Sequence, residues 1–222
     1  MSLARAQIPP PEPLGLAAAL REGTRAAHRD AERGDFVHVL IRGLLPRSSY
    51  LDYLRGLLTI YTALESGLQR RADHPLVGPF LRPELLRAPA LARDLAHLAA
   101  APAPPPPAAH TYAEHLHELA EHRPSLLIAH VYTRYLGDLS GGQLLRRGAA
   151  RTLGLPPERT ELATPGLEFY EFPQIPDLDA YKRDFRSSLD QLPLAPDQAA
   201  AIVHEARRAF TDTAALFAAL AP

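Results

Sequence analysis

The stretch Tyr132-Thr-Arg-Tyr-Leu-Gly-Asp-Leu-Ser-Gly-Gly-Gln143 sets three glycines, an acid and a guanidinium inside an otherwise helical, apolar pattern. A glycine in a helix interior costs about 0.8–1 kcal/mol relative to alanine, so Gly137, Gly141 and Gly142 together give up roughly 2–3 kcal/mol. A loss of that size asks for a packing or functional reason. Gly137 and Gly141 are four apart and share a face. They bare a strip of backbone that a flat group can approach, and they permit a kink. The same strip suits a close helix–helix crossing, and both readings stand at this point. Asp138 is either the surface partner of Arg134, four residues earlier, or a carboxylate facing a pocket.

His28 and Glu32 form a second constellation, four residues apart on one helical face. A neutral imidazole can ligate a metal through one nitrogen while the other donates to an acceptor, and Glu32 is such an acceptor. A histidine in an amphipathic helix suits a surface or structural role equally well. Lys182 and Arg186, also four apart, and Arg21, two turns before His28, are cations spaced to hold an anion. Lys182 is the only lysine among 24 basic residues, and a chain so rich in arginine offers solvated arginine faces as the competing account. The other histidines do not make a metal motif. His117 to His122 is not H-E-x-x-H, and Glu114-His-Leu-His117 is a single E-x-x-H where a carboxylate di-iron bundle needs two. A solvated helix face is expected for His110, His115, His117 and His122. With no cysteine, thiolate metal sites, disulfides and cysteine nucleophiles are all excluded.

The elements that must carry these residues read as helices. Apolar spacings of three and four predict helices over 14–33, 50–72, 90–100, 110–122, 125–153, 178–192 and 196–220, with a short apolar segment at 36–45. Gly34 is expected to close the first helix and Ser48 or Ser49 to cap the next long one. Residues 101–107 read as a stiff polyproline loop within one domain, and 154–176 as irregular, with an aromatic patch at Phe169-Tyr-Glu-Phe172. No segment alternates with period two for long. The expected fold is all-α, a single-domain multi-helix bundle over 14–222, preceded by a loose Pro-rich tail at 1–13.

The 222 residues suit one substantial core. A net charge of −1 excludes the basic footprint of a general nucleic-acid binder. No apolar run approaches the roughly 18 residues of a membrane span, and no secretory signal is visible, so a cytoplasmic location is expected.

Taken together, these segments resemble the heme oxygenase family. The glycine-rich stretch 132–143 and Leu20-Arg-Glu-Gly-Thr-Arg-Ala-Ala-His-Arg-Asp-Ala-Glu32 carry the resemblance most strongly. Phe169-Tyr-Glu-Phe-Pro173, Tyr181-Lys-Arg-Asp-Phe-Arg186, and Phe210 with Phe217 support it in the family's order. The resemblance implies a bundle that clamps heme, both cofactor and substrate, between a proximal helix and a kinked Gly-rich distal helix. It implies oxidative cleavage to biliverdin, carbon monoxide and ferrous iron by O2 and reducing equivalents.

By the same resemblance His28 matches the iron ligand and Glu32 the carboxylate beside it. Gly137, Gly141 and Gly142 match the distal backbone, and Asp138 the aspartate that organises water near bound oxygen. Tyr61 and Arg134 match its polar network. Arg21, Tyr132, Lys182 and Arg186 match the propionate anchors, Lys182 and Arg186 in the arrangement linked with the IXα isomer. Phe210 and Phe217 match pocket-lining rings. Arg21 stands where many relatives carry lysine. An electron donor such as a ferredoxin or flavin reductase is implied, with a bilin-binding phytochrome as one acceptor for the product; a monomer is expected. A non-catalytic heme carrier or sensor is the alternative class, distinguished by needing neither Asp138 nor the glycine strip.

Overall fold

The apolar spacings fold into eight α-helices in a computed structural model that describes residues 15–156 and 164–221; the segment read as a tail lies outside the described residues. They are α1 (Leu16–Glu32), α2 (Asp35–Arg42), α3 (Arg47–Arg70), α4 (Ala88–His97), α5 (Pro107–His122), α6 (Leu127–Leu153), α7 (Leu178–Asp190) and α8 (Pro196–Leu220). Short 3-10 turns occur at Gly78–Phe80, Pro83–Leu85, Pro124–Leu126 and Glu168–Tyr170. No strand occurs among the described residues. No described helix is long and apolar enough to cross a membrane.

Helix ends depart from expectation for backbone reasons. Gly34 does not close α1. The Arg33 amide bonds to the Arg29 carbonyl, and Gly34, at φ −64°, opens α2. Ser48 and Ser49 lie inside the first turn of α3, which starts behind Pro46. Pro107 is the first residue of α5 rather than the last of the loop, because its missing amide is unneeded at a helix start. Gly43 (φ 71°) and Gly154 (φ 69°) cap α2 and α6 in the left-handed region. The segment expected at 36–45 is helical only as far as Arg42, as α2, which packs on α6.

α3 is the central helix. It packs against α4, α5, α6 and α8, and Leu54, Ile60, Tyr61 and Leu64 are completely buried on it. α1 lies along α8, with Leu20 fully buried between them. The close crossing that a glycine in α6 can provide occurs at Gly148. A Cβ there would overlap the Leu40 carbonyl and lie 2.9 Å from Ile41 Cα on α2. α6 remains helical across Gly137, Gly141 and Gly142, which face elsewhere.

The expected solvated face of α5 holds for His110, His117 and His122 and fails for His115. His115 is buried, because α5 turns that side toward α8, where Glu205 bonds its imidazole.

Candidate functional site

A cleft of about 370 Å³ opens between α1 on one side and α6 on the other. α1 contributes His28, Ala31 and Glu32; α6 contributes Tyr132 to Arg134, Leu136 to Asp138 and Ser140 to Gly142. Phe210, Thr213 and Phe217 of α8 form one end, and Phe169 and Tyr170 of the last 3-10 turn another part of the wall. Most of the lining is apolar, with a few convergent polar groups, as in a small-molecule site.

His28 is half-exposed at the cleft. Its Nδ1 is 3.2 Å from Glu32 Oε2, so the other ring nitrogen is unclaimed by that contact. The ring meets Phe210 edge-on, with centroids 5.2 Å apart. Phe217 stacks on Phe36 at 5.1 Å and 13°, which fixes its ring at the cleft end. Across the cleft, a Cβ added at Gly137 or Gly141 would meet nothing within 4 Å. The two glycines therefore serve no packing contact; they bare helix backbone to open space. Gly142 is buried, at ordinary contact distance from Tyr170.

Asp138 is not a surface partner of Arg134. Its carboxylate accepts a hydrogen bond from the Tyr61 hydroxyl. Arg134 instead donates from Nη2 to Thr213 Oγ1 at 3.0 Å, while its guanidinium lies 6.0 Å from the Tyr61 ring centroid. Burial pushes the Asp138 carboxyl up to about 6, against the opposing effect of the Arg134 charge and the Tyr61 bond. The acid thus changes protonation state close to neutral pH. Tyr61 does not line the cleft; it stands fully buried behind Asp138, against Tyr135 and Phe169.

The expected anion-holding cations separate into two groups. Arg186 lines the cleft, and Arg186 and Arg21 both act on the hydroxyl of Tyr132, which also bonds Thr24. Lys182 does not line it; its Nζ is 2.8 Å from Asp179 Oδ1 on the exposed side of α7. Arg21 is exposed beside the cleft without lining it.

Several participants carried little or no sequence signal. The aromatic patch at 169–172 was visible, but not what holds it. Asp94 of α4, completely buried, accepts from the Glu168 and Phe169 amides at 2.9 Å each. Burial is the main reason its carboxyl rises to about 6. Gln143 of α6 donates to the Tyr170 carbonyl at 3.1 Å. Thr213, which receives Arg134, sits in an alanine-rich stretch of α8 that gives no hint of a polar contact.

Known proteins place this architecture. The heme oxygenase sequence profile matches residues 14–219. A heme oxygenase of Porphyra purpurea is 38% identical over 200 residues, covering 88% of this chain and 82% of that protein. The solved heme oxygenase of Leptospira interrogans superposes with a TM-score of 0.84 at 35% identity, covering 92% of this chain and 98% of that one. Heme oxygenase-1 of the cyanobacterium Synechocystis, solved in complex with heme, superposes with a TM-score of 0.85 at 34% identity, covering 92% and 91%. The class is therefore an all-helical oxygenase bundle with one cleft between its first helix and a glycine-bearing one. The chain belongs to the heme oxygenase family, enzymes that degrade heme.

Proposed function

We propose that the α1–α6 cleft binds heme and that the chain cleaves it oxidatively to biliverdin, predominantly the IXα isomer, with release of carbon monoxide and ferrous iron. The observation that carries this reading is the pairing across one cleft of an imidazole with bare helix backbone, His28 facing Gly137 and Gly141. The residues fit a flat iron macrocycle. A side chain on either glycine would project into the space, and the wall is otherwise aromatic and aliphatic.

Bound heme supplies the iron at which dioxygen is reduced and the meso carbon that is oxidised. His28 would hold the iron. Glu32, on Nδ1, orients the ring and leaves the second nitrogen for the metal. A neutral imidazole, unlike a thiolate, does not push electron density toward O–O cleavage. Gly137, Gly141 and Gly142 keep the opposite face free of any side chain that can act as a large distal base. Asp138, its carboxyl raised to about 6, can take up and pass on a proton through water, with Tyr61 fixing one carboxylate oxygen. Arg134, tied to Thr213, supplies positive charge behind it. Arg186, Tyr132 and Arg21 would hold the propionates and set the rotation that selects the meso carbon, and Lys182 would join them on leaving Asp179. Phe210 and Phe217 pack the macrocycle edge. Reducing equivalents come from a ferredoxin or flavin-reductase type of donor.

The test is aerobic turnover of the hemin complex with ascorbate, followed by chromatographic separation of bilin isomers. Loss of the Soret band with appearance of biliverdin IXα is expected. A stable complex under those conditions would overturn the enzymatic reading in favour of carriage, and a different dominant isomer would overturn the assignment of the anchors.

A further inference from the structure

Three ligand-type side chains from three helices meet in the core away from the cleft. His115 of α5, His130 of α6 and Glu205 of α8 are 4%, 0% and 5% exposed. One oxygen, Glu205 Oε1, lies 2.6 Å from His115 Nε2 and 3.1 Å from His130 Nε2. One donor atom from each residue lies within 4.8 Å of the others. His130 precedes Asp138 by eight residues on α6. At 1.5 Å per residue the cluster therefore sits about 12 Å along the helix from the cleft acid.

The second nitrogen of each ring also faces an oxygen. Tyr112 Oη is 2.9 Å from His130 Nδ1, and Glu118 Oε2 is 3.8 Å from His115 Nδ1. Buried His115 Nδ1 makes no hydrogen bond, while its Nε2 donates to the Glu205 carboxylate, a proton that a bound metal ion displaces. Imidazoles converging through Nε2, one of them held at Nδ1 by a hydroxyl, are how proteins build metal ligands. Half-buried Asp212 and exposed Glu118 add negative charge nearby, against Arg208, which is 3.7 Å from Asp212.

We propose that His115, His130 and Glu205 form a binding site for one divalent transition-metal ion of the zinc type, separate from the heme cleft. Two imidazole nitrogens and one carboxylate oxygen suit such an ion, whereas calcium and magnesium take oxygen sets. Tetrahedral zinc, bound at about 2.0–2.1 Å, spaces its ligand atoms about 3.3–3.4 Å apart. Loading therefore asks His115 and Glu205 to part by under about 1 Å and the donor atoms, all within 4.8 Å of one another, to close by at most about 1.4 Å. The ion ties α5, α6 and α8 together.

The experiment uses the full, heme-free chain, stripped with a chelator and equilibrated with Zn²⁺. Bound zinc is counted by atomic emission, and its ligand shell is read by X-ray absorption. One zinc per chain is expected, with two imidazole nitrogens and a carboxylate oxygen in the shell. Glu205→Gln loses it, and Tyr112→Phe weakens it about tenfold. The exposed pair His110→Ala/His117→Ala leaves the stoichiometry unchanged. Failure of the wild-type chain to retain zinc overturns the proposal, as does undiminished retention by Glu205→Gln or loss in the His110/His117 variant. The absorption measurement is made on the unaltered chain, so a shell without two imidazoles overturns the proposal even if Glu205→Gln does not fold.

Discussion

Gly141→Ala separates what the glycine strip does for the fold from what it does for the ligand. In a helix interior the change from glycine to alanine contributes about 0.8–1 kcal/mol of stability. At Gly141 no packing loss opposes that gain, since the added methyl meets nothing within 4 Å. For a domain of this size a gain of that order raises Tm by about 2–4 °C. The heme-free chain carrying Gly141→Ala is thus expected to melt higher than wild type, while hemin affinity and turnover fall because the methyl enters the cleft. Gly148→Ala supplies the opposite sign within the same helix. Its methyl would overlap the Leu40 carbonyl of α2. Overpacking of that kind costs about 1–3 kcal/mol, more than the propensity gain, so Tm falls. Calorimetry of the heme-free proteins and Soret titration with hemin read the two effects separately. A lower Tm for heme-free Gly141→Ala, or unchanged hemin affinity and turnover, would refute the reasoning.

His28→Ala should abolish or strongly reduce turnover, with partial recovery on adding imidazole; full activity without imidazole removes the ligation role. Asp138→Ala should bind hemin yet fail to give a normal biliverdin yield, measured by single-turnover absorbance; a normal yield sinks the proton-delivery role. Because burial raises Asp138 from 3.8 to about 6, the fold favours its protonated form. Its contribution to stability is complete below the lower value and disappears as pH rises through the upper one. Asp138→Asn should therefore flatten the stability change measured by urea unfolding between about pH 4 and 6; Asp94, shifted the same way, remains in both proteins, and identical slopes would contradict the shift. Arg186→Glu should alter the bilin isomer ratio more than Lys182→Glu, since Arg186 lines the cleft and Lys182 is engaged by Asp179; equal effects would contradict that ranking.

The helices were legible because burial of α3, α6 and α8 follows apolar spacing directly, and spacing survives in one dimension. Their ends were less so. Gly34 and Ser48 have the residue types of caps, yet the backbone used Arg33 and Pro46 instead, because capping preference is small beside the packing of the helices it terminates. In the site, His28–Glu32 and the glycine strip were visible because each is a pattern within one helix. Relations between helices were not. Asp138 to Tyr61, Arg134 to Thr213 and Asp94 to the Phe169 turn join residues 74 or more positions apart. Nothing local distinguishes Thr213 from any other threonine. His115 was misassigned for the same reason: among alternating histidines and glutamates on α5, only the presence of Glu205 on another helix tells which one turns inward.

α6 shows how one helix accommodates these separate demands. His130, Arg134 and Asp138 succeed one another at intervals of four, so they form a polar line that drifts slowly around the axis as it runs from the buried cluster to the cleft. Gly137 and Gly141 follow the same interval one residue out of phase, about 100° away, which exposes their backbone beside the acid without displacing it. Gly148 lies a further seven residues on, close to two full turns from Gly141, yet meets α2 instead of open space. The difference between these glycines is thus made by the surroundings. Where α2 crosses, absence of a side chain permits contact; where α1 stands off across the cleft, the same absence leaves room for a ligand. Glycine identity records the requirement for space, and only the arrangement of neighbouring helices decides what fills it.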